Sequence, residues 1–417
     1  MKAWSRNYQE TAELLSQFGS PLYVYDGAAI AAQAERYTVA LAGVGPRGCT
    51  NYYAVKALPN PHVLTLLKAQ GMRFDCSSLP EIHLAQRAGA TGEDIIYTSN
   101  NTTDEEFDEA LQAGVMINFD DLALVQRFVG QGRPMPVVAF CRYNPGDIEF
   151  DGVNQAIIGK PSEAKYGMPR EQIIEAYRLL RDAGVTRFGL HTMLLSNERD
   201  YRHHLRIARS MFVLAAEISR ELGITFEMIN LGGGFGVAYR PDELEFDIEA
   251  YGHDLAQLYA EQQLSAIGAP RIVTENGRWV TADAGFLLTR VINRKDTHRR
   301  YVGVDATMSN LMRPGMYGAY HHATVLSDRP EFDESRREIV DVAGSLCENN
   351  DKFAIQRELP LTALGDIVVI HTAGAHAHAM GFQYNGKLRS AEVLLERDEP
   401  RLIRRAETEA DYFATII

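Results

Sequence analysis

Lys56 closes the run Tyr52-Tyr53-Ala54-Val55, so a primary amine stands at the end of an apolar, β-rich stretch. Hydrated, such a lysine is only a strand-end charge; desolvated, it would have its pKa lowered and could condense with an aldehyde to form an imine. The residue alone leaves both readings open. Gly232-Gly233-Gly234-Phe235-Gly236 follows another apolar run. Glycines there let backbone N–H groups close around an anion such as phosphate, and a merely flexible turn of this composition would lose conformational entropy at every glycine for no return. Glu275-Asn276-Gly277-Arg278 sets an acid and a base three residues apart. That is either a surface ion pair or, beside a pyridine ring, a carboxylate able to keep the ring nitrogen protonated.

Two later segments are dense in reactive types. Arg313-Pro314-Gly315-Met316-Tyr317 offers a guanidinium suited to bidentate carboxylate binding next to a phenol, and Cys347-Glu348-Asn349-Asn350-Asp351 a thiol next to a carboxylate. A buried core position is the commoner fate of a cysteine. His371, His376 and His378 have no acidic or cysteine ligands at metal-site spacing, so they read as structural or as bordering a site, and no metal is expected.

The elements that must position these groups are legible as alternating short β-rich runs and helical stretches. Eight candidate strands begin at Tyr52, Arg73, Ile95, Val115, Val137, Arg187, Phe226 and Arg271, and 171–181 is amphipathic at helical spacing through Ile173, Ile174, Tyr177 and Leu180. Eight strand-plus-helix units predict a closed (β/α)8 barrel over 28–284, with a doubly wound open sheet as the alternative. In such a barrel the polar residues at the strand carboxyl ends, Lys56, Asp75, Ser99, Asn118, Arg142, His191, the glycine run and Glu275, converge on one mouth. Beyond 284 the runs at 286–288, 301–304, 338–341 and 367–370 lack long helices between them and predict a β domain over 285–417, with the charged, proline-bearing stretch 328–337 as a surface loop.

Composition bounds the partners. The 417 residues suffice for a barrel and an appended domain, and the 46% hydrophobic and 23% charged fractions are those of a soluble protein. No stretch approaches the roughly 20 apolar residues of a membrane span. The start, Met1-Lys2-Ala3-Trp4-Ser5-Arg6-Asn7, has no apolar run of a secretory signal, and Cys49, Cys76, Cys141 and Cys347 have no framework spacing, so a cytoplasmic, reduced protein is expected. A net charge of −13, from 42 basic and 55 acidic residues, disfavours nucleic acid and requires local positive groups to hold any anionic ligand.

In this order the motifs resemble the fold-type III pyridoxal-phosphate decarboxylases, the group containing diaminopimelate decarboxylase and the eukaryotic-type ornithine decarboxylases. The resemblance covers nearly the whole chain. It is carried by Tyr53-Ala54-Val55-Lys56-Ala57, Phe74-Asp75-Cys76-Ser77-Ser78 with Glu81, Gly232 to Gly236, Glu275 to Arg278, Asp305 to Tyr317, Cys347 to Asp351, and Tyr384-Asn385. It implies pyridoxal 5'-phosphate as cofactor, with Lys56 as the Schiff-base lysine, Glu275 facing the pyridine nitrogen, and Asp75 and His191 in the same site. Gly233, Gly234, Gly277, Arg278 and Ser196 then hold the phosphate, with Tyr384 nearby. Cys347 enters the partner subunit's site and helps protonate the product, which makes the protein a head-to-tail homodimer. The segment 1–27, with Pro21-Leu22-Tyr23-Val24-Tyr25-Asp26, joins the β domain in such proteins.

The departures bear on the substrate. Diaminopimelate decarboxylases usually carry His-x-His-x-Gly-Ser after the sixth strand, one histidine stacking on the cofactor ring; this chain has His191-Thr192-Met193-Leu194-Leu195-Ser196, so either His191 or the Met193 thioether covers the ring. Leu79-Pro80 replaces a usual Gly-Gly, and Asn276 a usual proline. The residues matching the family's binding of the substrate's far amino and carboxylate groups, Arg278, Arg313, Tyr317 and Glu348 with Tyr384, persist. Arginines facing the ammonium of simple ornithine would repel it. The default is therefore decarboxylation of meso-diaminopimelate to L-lysine. A siderophore-type citryl-diamino acid or D- or L-ornithine or lysine are alternative substrates, and an amino-acid racemase or a non-catalytic cofactor-binding regulator are alternative functions.

Overall fold

The structure, a computed structural model, describes residues 1–146 and 160–417. The chain divides into two compact units: Ala31–Gly236 with Glu245–Trp279, and Met1–Ile30 with Val237–Leu244 and Val280–Ile417.

After β1 (Leu22–Asp26), which belongs to the second unit, eight strands of the first unit follow: β2 (Cys49–Ala54), β3 (Arg73–Cys76), β4 (Ile95–Ser99), β5 (Met116–Phe119), β6 (Ala139–Tyr143), β7 (Phe188–Thr192), β8 (Phe226–Asn230) and β9 (Arg271–Thr274). All pair in parallel and in chain order, and β9 returns to β2 through Cys49↔Ile272, Thr50↔Val273 and Asn51↔Thr274. The sheet is a closed barrel, which removes the open-sheet alternative. β2 begins at Cys49 rather than Tyr52 because its first residues complete that closure; it ends at Ala54, so Val55 and Lys56 lie in a short 3-10 turn, Val55–Ala57.

Strand alternation fills the barrel. Tyr52, Ile96, Met116, Val138, Phe140, Met228 and Val273 form one buried cluster drawn from six strands and the residue preceding β6. Gly189 on β7 is small for a reason: a Cβ there would lie 2.2 Å from the Phe140 ring. The connecting helices start at side-chain caps, Asn60, Thr103, Asp121, Asp200 and Asp247, each accepting a first-turn N–H. The expected amphipathic helix is Arg170–Asp182, burying Ile173, Ile174, Ala176, Tyr177 and Leu180.

The second unit is a mixed sheet of β1 with β10 (Gly285–Asp296), β11 (Arg300–Val304), β12 (Ala323–Leu326), β13 (Arg337–Ala343), β14 (Lys352–Pro360), β15 (Ile367–Ile370), β16 (Ala391–Glu396) and β17 (Glu399–Arg404). Its order is β14-β13-β11-β10-β1-β16-β17, with β15 bridging β10 and β12. β1 lies antiparallel to β10 and parallel to β16, so the amino-terminal segment is an inner strand. Leu14, Leu15, Leu22, Val24, Phe286, Leu288, Val369 and Val393 pack as its core. The 328–337 stretch is irregular and largely exposed except that Arg337 already opens β13; Arg329 anchors it on Asp366 at 2.8 Å.

Candidate active site

The barrel's inward face becomes polar one alternation step beyond its apolar layer. Moving two residues toward the carboxyl end from Ile96, Met116, Phe140, Met228 and Val273 gives Thr98, Asn118, Arg142, Asn230 and Glu275, and Asp75 and His191 hold the matching places on β3 and β7. The same parity places Thr98 inward and corrects the expectation for Ser99. Asn118 Nδ2 donates to Thr98 Oγ1 at 3.4 Å, and Arg142 pairs with Asp120 at 3.3 Å.

Four ionisable groups meet in this layer. Lys56 Nζ lies 3.0 Å from Asp75 Oδ2, and His191 Nε2 lies 3.2 Å from Glu275 Oε2, whose other oxygen accepts from Asn230 Nδ2 at 2.7 Å. Burial raises the Glu275 carboxyl, but the His191 ring and the Lys56 ammonium outweigh it and hold the group at about 2. Desolvation works to lower Lys56, but its side chain keeps 50% of its surface exposed, and the Asp75 and Glu275 carboxylates win and raise its pKa. The lowered lysine expected from desolvation is not found, because the fold brings two anions to the same amine. Asp75, 1% exposed, is raised by burial and by Glu275, so the Lys56–Asp75 pair holds its proton tightly.

The glycine run is wedged between two neighbouring segments. A Cβ on Gly232 would fall 2.4 Å from the Thr192 carbonyl, on Gly233 2.4 Å from the Glu275 carbonyl, and on Gly234 2.3 Å from the Leu195 carbonyl. Gly232 and Gly234 also have φ of +70° and +100°, so the turn needs glycine on both counts. Asn230 Oδ1 accepts from Gly232 N at 2.9 Å and Asn276 Oδ1 from Phe235 N at 3.1 Å, while Glu198 N donates to Gly234 O at 2.9 Å. Ser196 lies in the stretch facing this turn. Gly277 abuts the Lys56 turn, since a Cβ there would lie 2.6 Å from Ala57 Cβ; Arg278 opens the next helix. Met193 places Sδ 3.1 Å from Gly233 N, whereas His191 is fully buried with its Nε2 committed to Glu275.

A pyridoxal phosphate fits this donor set. An amine, an anionic carboxylate and a glycine-built turn stand on consecutive barrel segments. Asp75 Oδ1, Asn118 Oδ1 and His191 Nδ1 are buried without a hydrogen-bond partner among the described residues, which leaves hydrogen-bonding capacity for a polar ligand.

The remaining expected site residues belong to the second unit. Cys347 and Glu348 are exposed, so the core-cysteine reading fails. Their loop is clasped by Asp351, whose Oδ1 and Oδ2 accept from Met308 N at 2.6 Å and Leu346 N at 2.7 Å. Asn385, beside Tyr384, accepts from Cys347 N at 2.7 Å, and a Cβ on Gly315 would lie 2.5 Å from Asn350 O. Three motifs spread over 305–385 therefore form one cluster that exposes Tyr317, Cys347, Glu348 and Tyr384. Arg313 is buried and donates to the Tyr239 hydroxyl, with its guanidinium 5.0 Å from that ring's centroid. His371 and His378 bond separately, to Thr324 at 2.8 Å and the Ser390 carbonyl at 3.1 Å.

Sequence reading missed the amides that hold the site. Asn230 seats Glu275, and Asn51 accepts from Asn276 N at 2.8 Å and Thr274 Oγ1 at 2.9 Å while donating to the Asn276 carbonyl at 2.9 Å. Asn230 was findable, since it ends a strand at inward parity; Asn51 lies mid-strand and gives no signal.

Comparisons with known proteins agree with this geometry. Residues 27–282 match the family described as pyridoxal-dependent decarboxylase, pyridoxal binding domain. The chain is 40% identical over 405 residues to protein TabA of Pseudomonas amygdali pv. tabaci, covering 97% of this chain and 93% of that one. It is 34% identical to the diaminopimelate decarboxylase of Methanothermobacter thermautotrophicus, covering 96% and 92%. Among solved structures, a diaminopimelate decarboxylase variant from Helicobacter pylori complexed with L-lysine superposes with a TM-score of 0.87 at 25% identity, covering 97% and 98%. Barrel, mixed sheet and sequence point the same way: the chain belongs to the pyridoxal-dependent decarboxylases, as a carboxy-lyase of the diaminopimelate decarboxylase-like, fold-type III group.

Proposed function

We propose that the enzyme removes the α-carboxylate of a diamino acid, or a diamino-acid derivative, with a polar or anionic distal end, by default converting meso-diaminopimelate to L-lysine. The observation that carries the chemistry is Glu275, an anion enclosed in the barrel beside Lys56. The relatives named diaminopimelate decarboxylase favour the default substrate.

When bound, the cofactor supplies a ring that takes up the electron pair left by the departing carboxylate. Glu275, seated by Asn230 and His191, keeps a proton at the ring nitrogen. Lys56 Nζ provides the attaching amine, oriented by its hydrogen bond to Asp75 Oδ2. Gly233, Gly234 and Gly277 with Ser196 and Arg278 hold the phosphate. Arg278, Arg313, Tyr317, Glu348 and Tyr384 orient the substrate, the arginines selecting an anionic far end. Cys347 returns a proton to the α-carbon, acting in the partner subunit of a head-to-tail homodimer; the exposed cluster bearing it suits that arrangement. A cytoplasmic location keeps the four free cysteines reduced.

Carbon dioxide release assayed over meso-diaminopimelate, L- and D-lysine, L- and D-ornithine and citryl-diamino acids tests the proposal. Turnover of meso-diaminopimelate above the others is expected. Activity confined to the conjugates would replace the default, α-proton exchange without carbon dioxide would make the enzyme a racemase, and cofactor binding without turnover of any substrate would make it a regulator.

A further inference from the structure

Met193 stands where the resemblance leads one to expect a histidine, and its position gives it a specific task. Its sulfur lies 3.1 Å from the backbone nitrogen of Gly233, the central glycine of the turn, and within 2.9 Å of where a Gly232 Cβ would sit. Gly233 is buried against the Glu275 carbonyl, so its N–H depends on a local acceptor, and the Met193 sulfur is the one it meets. A thioether is a weak acceptor on a side chain with three rotatable bonds. A phosphate oxygen is a strong, charge-assisted one.

We propose that Met193 is an internal cap of the phosphate cradle: in the cofactor-free protein its sulfur occupies the Gly233 N–H, and phosphate binding displaces it from that N–H. This rests on the reading of Gly232–Gly234 as the phosphate turn. The cap keeps a buried donor satisfied before phosphate binds, so the turn is held in its binding conformation. Its weakness makes the exchange favourable. A histidine at this place would offer a stronger nitrogen acceptor or a second donor, depending on tautomer, and a leucine would offer none.

The consequence is a competition that can be read without turnover. Met193→Leu keeps the volume and removes the acceptor, so the cofactor-free protein should melt lower, the loaded protein should melt unchanged, and pyridoxal phosphate should bind roughly three- to tenfold more tightly, the equivalent of one weak hydrogen bond no longer lost on binding. In the unaltered full-length chain labelled at methionine methyl groups and glycine nitrogens, the Met193 methyl resonance, identified by its loss in Met193→Leu, should shift when inorganic phosphate or pyridoxal phosphate is added, together with the Gly232–Gly234 amides. If those amides respond while the Met193 methyl does not, or if Met193→Leu binds the cofactor no tighter, the cap is refuted and the phosphate turn stands. If the amides stay unmoved while absorbance shows cofactor bound, the phosphate-turn reading fails and the cap with it.

Discussion

Glu275 and Lys56 fix each other's charge, and neither value follows from its own burial. Glu275 is lowered from 4.5 to about 2 by His191 and Lys56 against the effect of desolvation. A depressed carboxyl contributes stability that is fully present above its unfolded value and is lost as pH falls through the folded one. The cofactor-free protein should therefore lose part of its stability between pH 4.5 and about 2, and Glu275→Gln should flatten that limb of a denaturation series. The same substitution removes the anion needed at the ring nitrogen and should lower kcat about a hundredfold or more, the scale of losing a preorganised charge contact, while cofactor attachment persists. Full activity in Glu275→Gln would remove the carboxylate from the mechanism. This charge balance was illegible in the sequence, because Asp75 and Glu275 reach Lys56 from different strands of a closed sheet. The identities of the three residues were legible, since each stands at the carboxyl end of a β-rich run.

At the scale of elements, the site is positioned by close backbone approach. Gly233→Ala would drive a Cβ to 2.4 Å from the Glu275 carbonyl. It should destabilise the protein by about 1–3 kcal/mol and weaken cofactor binding as well. Gly189→Ala, whose Cβ would meet the Phe140 ring inside the barrel at 2.2 Å, should cost a similar amount with a smaller effect on cofactor affinity; comparable affinity losses in both would mean the turn has no special role. In the second unit, Asp351→Asn leaves one carbonyl oxygen for two backbone donors, Met308 N and Leu346 N. Melting should fall by the equivalent of about 1–3 kcal/mol, and the rate of Cys347 modification by a thiol reagent should change; an unchanged rate would detach the clasp from the cysteine. The eight barrel strands were legible because each is a β-rich run bounded by a helical repeat. β12, β14, β16 and β17 were missed: β14 reads Lys352-Phe353-Ala354-Ile355-Gln356-Arg357-Glu358-Leu359-Pro360, with charge in mid-strand and a bulged pairing to β13 that breaks the alternation.

At the scale of the molecule, the proposal requires two chains per working unit. Mixing Lys56→Ala with Cys347→Ser protein under exchanging conditions should restore about a quarter of the wild-type rate if each site draws on both subunits, because half of the random dimers carry one intact site. No recovery would mean that Cys347 serves its own chain. Everything in the account passes through the amine at the end of β2. The direct test is to load the protein with pyridoxal phosphate, reduce it with borohydride and map the labelled peptide. Cofactor mass on Lys56 and a colourless, unlabelled Lys56→Ala protein are expected; label on another lysine, or none at all after loading, would contradict the role of Lys56.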